Sequence, residues 1–469
     1  MPSGYERLSS LDTSFLALET PDLHMHVAAV GIFEAGPLRR ADGGIDIDRI
    51  RAFVGSKLQY VPRYRQKLAW VPLERHPVWV DDPEFDLSIH IRHSSLPLPG
   101  TEEQLQELVG HLASRNLDRA KPLWELSIVE GLEDDRFAVV AKVHHCMIDG
   151  IAGVDLMAVM FNVIPTEDIE QSSDWTPRPV PSGAELVAGE AGRRLRASLD
   201  LVKDLGRLTR DAQRLTGEAG RRLRGMTQSL GSGWLSTASE TPLNQRMSPN
   251  RRVDWQVTDL GQIKAIKNSL GGTVNDTVLS VAAGAIREFL IEQRSVDVEN
   301  LDYRIMAPVS VRSADQRGQL GNQVAMWLVS LPLDEPDPIE RFRRIQTETS
   351  ALKESDQALG ASTLVQLSAG APSTLVSMGA RLAAGSIRPF NMTITNVPGP
   401  QFPLYLLGSR LLLQVPLVPL WAQHGLGLAQ FSYDGSLTWG LNADRDLVPD
   451  LRQFGVAIEH ALDELTAAI

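Results

Sequence analysis

An apolar strand that runs directly into two adjacent histidines is the feature that most constrains this chain. The segment Phe137–Gly150 reads FAVVAKVHHCMIDG. Its first half has the apolar, β-branched composition of a buried strand. Gly150 then closes a turn before a helical segment, Ile151–Phe161. The sequence therefore predicts a strand, a turn and a helix, with both histidines at the point where the strand ends.

Strand geometry separates the two histidines. Successive side chains of a strand point to opposite faces, so His144 and His145 cannot both face one cavity if the strand is regular. We expect one ring to line a cavity and the other to pack behind it. A histidine, whose ordinary pKa is near 6.5, is a suitable general base close to neutral pH. Asp149 follows four residues after His145 and either orients that ring or holds the turn through an ion pair.

Composition limits the functions that are open to the chain. It has 58 acidic residues against 46 Lys and Arg and a net charge of −12, which argues against a general nucleic-acid binder. The single cysteine, Cys146, permits no internal disulfide and no Cys-rich metal site. Because it is adjacent to His145, we interpret it as a packed residue that points away from the cavity. The N-terminus lacks the basic start and apolar core of a secretory signal.

Two long stretches, Gln357–Ala380 and Leu411–Tyr433, contain no Asp, Glu, Lys or Arg. Each is long enough to span a bilayer, but prolines and small polar residues interrupt both. The second is typical of strands. We expect buried core in both, with the lining of an apolar pocket or a membrane-facing surface as the alternative.

Mixed strands and helices with few repeated crossovers predict an α+β architecture in which residues 1–165 and 251–469 form two halves. The strand predictions are His26–Phe33, Leu123–Val129, Phe137–Val143, Arg304–Val309, Val324–Leu331, and a hairpin of Leu428–Tyr433 with Leu437–Leu441 across Asp434–Gly435. The helix predictions are Ile47–Leu58, Glu103–Leu117, Val274–Leu290 and Asp450–Leu465.

Residues 166–250 differ from both halves and are predicted to form a basic helical linker. Between Ala191 and Gly225 there are ten Lys or Arg and four acids, a local charge of +6 that leaves −18 for the rest of the chain. Leucines recur beneath these charges at helical spacing. The segment is either a solvated connecting helix or an interfacial helix that is attracted to anionic lipid head groups or to CoA phosphates.

Three further groups of residues are candidates for a site. Asn275 and Asp276 follow Gly271–Gly272–Thr273 at a helix start, where Thr273 and Asp276 are also ordinary capping residues. Pro122, Leu123 and Trp124 precede the histidine strand and are either core or part of the site. The pairs His24/His26 and His90/His93 lack the accompanying acids or cysteines of a metal site, so we predict no metal. No Gly-x-Ser-x-Gly elbow for a serine nucleophile occurs.

The segment HHCMIDG fits the HHxxxDG signature of the CoA-dependent acyltransferase superfamily. More narrowly, the whole chain resembles the bacterial wax ester synthase/acyl-CoA:diacylglycerol acyltransferase family. The matching landmarks are LSSLDTSFLALETPDLHMHV at 8–27, WVDDPEFDLSIHIRH at 79–93, LDRAKPLWELSIVEGL at 117–132, GGTVNDTVL at 271–279, APVSVR at 307–312, NMTITNVPGP at 391–400 and LNADRDLVPDL at 441–451.

The resemblance implies two chloramphenicol-acetyltransferase-like halves with a tunnel at their interface. It implies that His145 is the general base, that His144 and Gly150 belong to the same motif, and that Asp149 holds the turn through an arginine, for which Arg312 is the candidate by position. Asn275 is then a candidate donor to the oxyanion, and Asp276 is either a substrate-binding residue beside it or a helix cap. Pro122, Leu123 and Trp124 then lie near the acceptor side.

The function that the resemblance implies is transfer of a long-chain acyl group from acyl-CoA to diacylglycerol, which makes triacylglycerol. Alternatives are a wax ester synthase that uses long-chain alcohols, a non-catalytic protein that binds lipid droplets, and a condensation-type enzyme with carrier-bound donors. We expect no cofactor besides acyl-CoA as co-substrate. We also expect a cytoplasmic protein in peripheral contact with the inner face of the membrane or with lipid droplets.

Overall fold

The computed structural model describes residues 4–72, 74–147, 157, 159–193, 234, 236–310, 324–354 and 388–469. The strands are β1 (Tyr5–Arg7), β2 (His26–Glu34), β3 (Gln66–Trp70), β4 (Pro77–Asp81), β5 (Ile91–Ser95), β6 (Trp124–Leu132), β7 (Arg136–His144), β8 (Arg251–Asp259), β9 (Tyr303–Ser310), β10 (Val324–Leu331), β11 (Met392–Pro398), β12 (Tyr405–Leu406), β13 (Ser409–Leu417), β14 (Leu426–Tyr433) and β15 (Ser436–Asp444).

The helices are α1 (Ser10–Leu18), α2 (Ile47–Lys57), α3 (Leu87–His90), α4 (Glu102–Ala113), α5 (Leu260–Leu270), α6 (Val274–Arg294), α7 (Pro338–Glu354) and α8 (Leu451–Ala467), with short 3₁₀ helices at Gly36–Leu38, Pro62–Arg65 and His145–Met147. Within the described residues the strands form two six-stranded sheets and one of three strands. This confirms the α+β class with two sheet-rich halves.

The N-terminal sheet has the order β12-β13-β2-β7-β6-β5. The pairs β2·β7 and β6·β7 are antiparallel, and the register places His26 opposite His144. Phe33 and Phe137, on the same two strands, stack with ring centroids 5.3 Å apart in the core beneath α2. The sheet thus holds the end of β7, where the histidines lie, beside the start of β2.

The C-terminal sheet has the order β10-β9-β11-β14-β15-β8 and is covered on one face by α5, α6, α7 and α8. Helix α6 is buried without interruption from Asp276 to Ile286, which matches its run of apolar and small residues. Phe289 of α6 meets Phe454 of α8 edge to face at 5.4 Å. The hairpin between β14 and β15 turns at Asp434 and Gly435, whose φ values of 44° and 85° are those of a two-residue hairpin turn.

The two halves are joined along a seam, where strands from the C-terminal part of the chain enter the N-terminal sheet and where α4 packs on β8. Strands β12 and β13, which come from residues above 400, join the N-terminal sheet beside β2. On the other side of the seam, α4 packs on β8, where Leu105 and Val109 contact Trp255 in one cluster. Gln106 Nε2 donates to Asp254 Oδ1 at 2.8 Å across the same contact. The chain enters the C-terminal sheet with β8, which begins at Arg251. The contacts between α4 and β8 and the pairing of β13 with β2 make the two halves one continuous body.

The strands and helices predicted for the two halves are confirmed wherever the structure describes them, with ends that differ by a few residues. Leu411–Tyr433 consists of strand β13, a loop and strand β14, as expected. Gln357–Ala380 and most of the basic stretch lie outside the described residues. Of the linker predicted to be helical over 166–250, residues 183–193 are helical, whereas the described residues 166–182 and 236–250 are irregular. Leu186 in this helix packs against the small sheet β1-β4-β3. No helix in the described ranges is long and apolar enough to cross a membrane.

Candidate active site at the end of strand β7

Backbone hydrogen bonds fix the place where β7 ends. The His144 N–H donates to the Leu123 carbonyl at 2.9 Å, and the His145 N–H donates to the Met25 carbonyl at 2.8 Å. The strand then changes into the 3₁₀ helix His145–Met147. This change brings the two histidines, adjacent in sequence, into different surroundings.

His144 is completely buried. Its Nδ1 accepts the N–H of Cys146 at 3.2 Å and lies 3.0 Å from the Cys146 sulfur. Because Nδ1 is an acceptor there, the ring proton of neutral His144 lies on Nε2. Cys146 is itself buried, and burial raises the pKa of its thiol well above the ordinary value. A thiol that stays protonated is a poor nucleophile.

His145 is only partly buried, and its ring stacks on Phe15 of α1 with centroids 4.0 Å apart. The protein around the ring lowers its pKa to about 4, chiefly by desolvation and also through neighbouring His144. In the described part of the chain no side chain hydrogen-bonds with the imidazole. A hydrogen bond between the ring and the backbone of His145 itself acts in the opposite direction but is outweighed. His145 is therefore a neutral imidazole at pH 7, with no described side chain bonded to its ring nitrogens.

Apolar side chains from both halves cluster around Phe15, the residue on which this ring stacks. Phe15 belongs to a cluster with Leu23, Met25, Met247 and Leu420. Trp421 lies 6.3 Å from Phe15 between ring centroids and joins this cluster to a second one. The second cluster comes from the C-terminal sheet and contains Met306, Leu328 and Phe390. A neutral base against an apolar wall suits proton transfer from a lipid hydroxyl.

Three predicted site residues, Asp149, Gly150 and Arg312, lie outside the described residues. The predicted Asp149–Arg312 ion pair therefore stays a prediction. The tunnel between the halves stays a prediction as well.

Asp276 takes part in a capping box at the start of α6. Its Oδ2 accepts the N–H and the hydroxyl of Thr273, each at 2.8 Å, and its Oδ1 accepts the Thr349 hydroxyl at 2.7 Å. The Asp276 N–H in turn donates to the Thr273 hydroxyl. These bonds occupy both carboxylate oxygens and favour the capping interpretation. Asn275 lies partly exposed in the same first turn, and its role at the oxyanion stays a prediction.

Pro122, Leu123 and Trp124 lie in the core of the N-terminal half. Leu123 is fully buried, and its carbonyl is the acceptor for His144. The Trp124 indole donates to the Tyr64 carbonyl at 2.8 Å and stacks on His90 at 4.5 Å. The segment therefore supports the end of the histidine strand. Its position near the acceptor stays a prediction.

A buried ionic cluster that the sequence does not predict lies behind His144. Glu19, one residue past α1, meets His26, His144 and Arg119. The available signal was weak: an acid directly after an apolar helix, and a histidine at the start of a strand. Only the register of β2 against β7 brings these groups together. No cluster of His, Cys, Asp or Glu suited to a metal ion occurs among the residues that the structure describes.

Two domain models of one protein family together match most of this chain. Residues 8–278 match the wax ester synthase/diacylglycerol acyltransferase catalytic domain, and residues 320–466 match the corresponding C-terminal domain. A protein of Mycobacterium tuberculosis named putative diacylglycerol O-acyltransferase is 31% identical over 472 residues, 99% of this chain and 90% of that protein. Another from that organism, named probable diacylglycerol O-acyltransferase, is 31% identical over 98% of this chain and 96% of its own length.

Solved structures give the same picture of the fold. The wax ester synthase/diacylglycerol acyltransferase of Marinobacter aquaeolei VT8 aligns with a TM-score of 0.65 and 26% identity over 98% of both chains. The trichothecene 15-O-acetyltransferase of Fusarium sporotrichioides shares the fold alone, with a TM-score of 0.62 and 12% identity over 98% of this chain and 95% of its own. With both family domains matched along its length, the chain belongs to the wax ester synthase/diacylglycerol acyltransferase family of acyl-CoA-dependent O-acyltransferases.

Proposed function

We propose that this protein transfers a long-chain acyl group from acyl-CoA to diacylglycerol, with His145 as general base. The observation that carries the proposal is the neutral, partly exposed imidazole of His145 against an apolar wall from both halves. An alcohol is too weak an acid to attack a thioester without a base. His145 takes the hydroxyl proton as the alcohol oxygen bonds to the thioester carbon.

The tetrahedral intermediate then breaks its carbon–sulfur bond and releases the ester and the CoA thiolate. The proton on His145 passes to that thiolate, so the products are the ester and free CoA. No acyl-enzyme is needed in this sequence. Cys146, beside the base, is unsuited to form one because its thiol is buried and its pKa is raised. We propose acyl-CoA as co-substrate and no further cofactor.

Diacylglycerol is the first choice of acceptor because the mycobacterial relatives carry that name. A long-chain alcohol, which would give a wax ester, is the second choice because the matched family model names both activities. The two acceptors present the same hydroxyl to His145 and differ in bulk, so the chemistry proposed for the base is common to both.

The decisive experiment incubates the purified protein and its His145→Ala variant with labelled palmitoyl-CoA and each acceptor, with products separated by thin-layer chromatography. We expect triacylglycerol as the main product and a loss of at least about a hundredfold in the variant. A lipid-binding protein without activity would form no ester, and a condensation-type enzyme would prefer an acyl-carrier-protein donor. Full activity in the variant would exclude His145 as the base.

We also propose that the basic stretch Ala191–Gly225 brings the protein to the cytoplasmic face of the membrane or to lipid droplets. Its charge of +6 in a chain of −12 favours attraction to anionic head groups. The described helix at its start is held to the small sheet by Glu190, which pairs with Arg7 and with Arg193. The stretch would therefore leave the fold at a fixed point.

Vesicle binding tests this docking proposal. We expect charge reversal of Arg194, Arg221 and Arg222 to weaken binding to anionic vesicles by at least about a hundredfold, since each basic residue near such a surface contributes about 1 kcal/mol. The matched control reverses Arg51, Arg75 and Arg252, outside the basic stretch, and should leave binding unchanged. Equal binding by both triple variants would contradict the proposal.

A further inference from the structure

A buried carboxylate lies behind the two histidines. Glu19 caps the C-terminal end of α1, where its N–H donates to the Phe15 carbonyl at 3.2 Å. Its side chain is 6% exposed, although it is ionisable. A buried carboxylate needs compensating partners, because transfer of a charge out of water is costly.

Three partners from separate parts of the chain meet this carboxylate. Arg119 donates from Nε at 3.0 Å and from Nη2 at 2.5 Å to Glu19 Oε2. Glu19 Oε1 lies 3.1 Å from His26 Nε2 and 3.6 Å from His144 Nε2. One carboxylate therefore joins α1, the start of β2, the end of β7 and the loop that carries Arg119.

The carboxylate of Glu19 is ionised in this cluster. Burial alone would raise the pKa of Glu19, but the contacts with His144, His26 and Arg119 outweigh it and hold the pKa far below its ordinary value. Burial also lowers the pKa of His26 to about 4, so His26 is neutral at pH 7. The negative charge of Glu19 is thus balanced by Arg119, and the nearby histidines can meet it with a ring N–H.

Glu19 reaches His145 by two routes, neither of which is direct contact. Through His144, the carboxylate faces the Nε2–H, while Nδ1 accepts from Cys146 in the turn that carries His145. Through α1, it fixes the end of the helix whose Phe15, one turn earlier, stacks on the His145 ring. Both routes set the orientation of the proposed base relative to the apolar wall.

We propose that Glu19 is a positioning residue for the acyl transfer, holding His144 in its Nε2–H tautomer and Phe15 against the ring of His145. This inference rests on the proposed role of His145 as base. Loss of the carboxylate should leave substrate binding intact and misplace the base, so its effect belongs in kcat rather than in KM.

The matched experiment compares Glu19→Gln with Asp81→Asn. Asp81 is likewise buried and bonded to an arginine, Arg178, but it lies on the small sheet β1-β4-β3 and not on the sheet whose strand β7 leads to His145. The thermal stability of both variants is measured alongside the kinetics. We expect Glu19→Gln to lower kcat by about 10- to 100-fold, with KM for both substrates within about twofold, and Asp81→Asn to keep kcat.

A second readout does not depend on activity. In protein with ¹⁵N-labelled histidine, the His144 ring signals, assigned by their loss in His144→Asn, should be those of the Nε2–H tautomer. In Glu19→Gln we expect a mixture of tautomers. This measurement keeps its meaning even if His145→Ala proves active and the proposed function fails.

Three results would each overturn the inference. The first is a kcat in Glu19→Gln within twofold of the starting protein. The second is an equal loss of kcat in Asp81→Asn, which would assign the effect to general destabilisation. The third is an Nδ1–H tautomer for His144 in the unaltered protein, which the labelled spectrum would show even if Glu19→Gln failed to fold.

Discussion

At the scale of single residues, surroundings give the two adjacent histidines different properties. His144 is enclosed, uses Nδ1 as an acceptor and faces Glu19 with Nε2. His145 starts the next turn, reaches solvent in part and keeps its ring free for substrate among the described side chains. The difference follows from the end of β7, where the chain leaves the strand between the two residues.

The pH dependence of activity tests the role of His145. A general base must be neutral, and burial lowers the pKa of His145 from 6.5 to about 4, so the base stays available as pH falls through 6.5. We expect kcat/KM to be flat from pH 8 to about 5.5 and to decline only in the range near 4 to 5. The measurement is the initial rate with short incubations, and circular dichroism at each pH controls for unfolding. Half-maximal activity near pH 6.5 would contradict this assignment.

At the scale of elements, Asp276, a candidate site residue, caps the start of α6. The backbone N–H groups of the first helical turn lack partners within the helix. The Thr273 hydroxyl accepts the N–H of Asp276, and the Asp276 carboxylate accepts the N–H of Thr273. The hydroxyl of Thr349 in α7 donates to the other carboxylate oxygen. The same bonds tie α6 to α7, so Asp276 links two helices on the C-terminal sheet.

Replacing Asp276 separates capping from a role in the reaction. Loss of the capping box in Asp276→Ala should lower the free energy of unfolding by about 1–2 kcal/mol, measured in urea. Asp46→Ala removes the N-cap of α2, where the Asp46 carboxylate accepts the Arg49 N–H at 3.1 Å, and serves as a control for loss of a helix cap remote from α6. Equal losses of stability with kcat retained in both would support capping. A lower kcat in Asp276→Ala alone would support the substrate role.

At the scale of the whole molecule, β13 joins the two sheets. It pairs with β2 in the N-terminal sheet while its Pro416 carbonyl presses against Gly440 of β15 in the C-terminal sheet. A Cβ at Gly440 would overlap that carbonyl oxygen. The glycine therefore permits a close approach of two backbones at the point where the halves join.

Gly440→Ala should destabilise the joint between the halves. We expect a loss of about 3 kcal/mol in the free energy of unfolding, because neither backbone can move without disturbing its own sheet. In Gly36→Ala the added Cβ meets no atom within 4 Å, and stability should stay within about 0.5 kcal/mol. Urea unfolding of both variants measures the difference. Equal stability would show that the seam yields to the added methyl group.

The parts of this protein that the sequence determines by itself are those fixed by neighbours along the chain. Alternating and helical apolar patterns predict β7, α6 and α8, and Asp434–Gly435 predicts its hairpin, because backbone preferences act over a few residues. The signature around His144 and His145 is equally local. It places a candidate base at a strand end before any contact is known.

Only the tertiary structure decides which distant segments meet. The pairing of β13 with β2, the contact of Trp421 with Phe15 and the meeting of Glu19 with His26 and His144 join residues far apart in the chain. Such contacts depend on which apolar faces pack together and in which register, and many registers satisfy the same local pattern. The candidate base was therefore predictable from the sequence, whereas the carboxylate and the aromatic ring that position it were not.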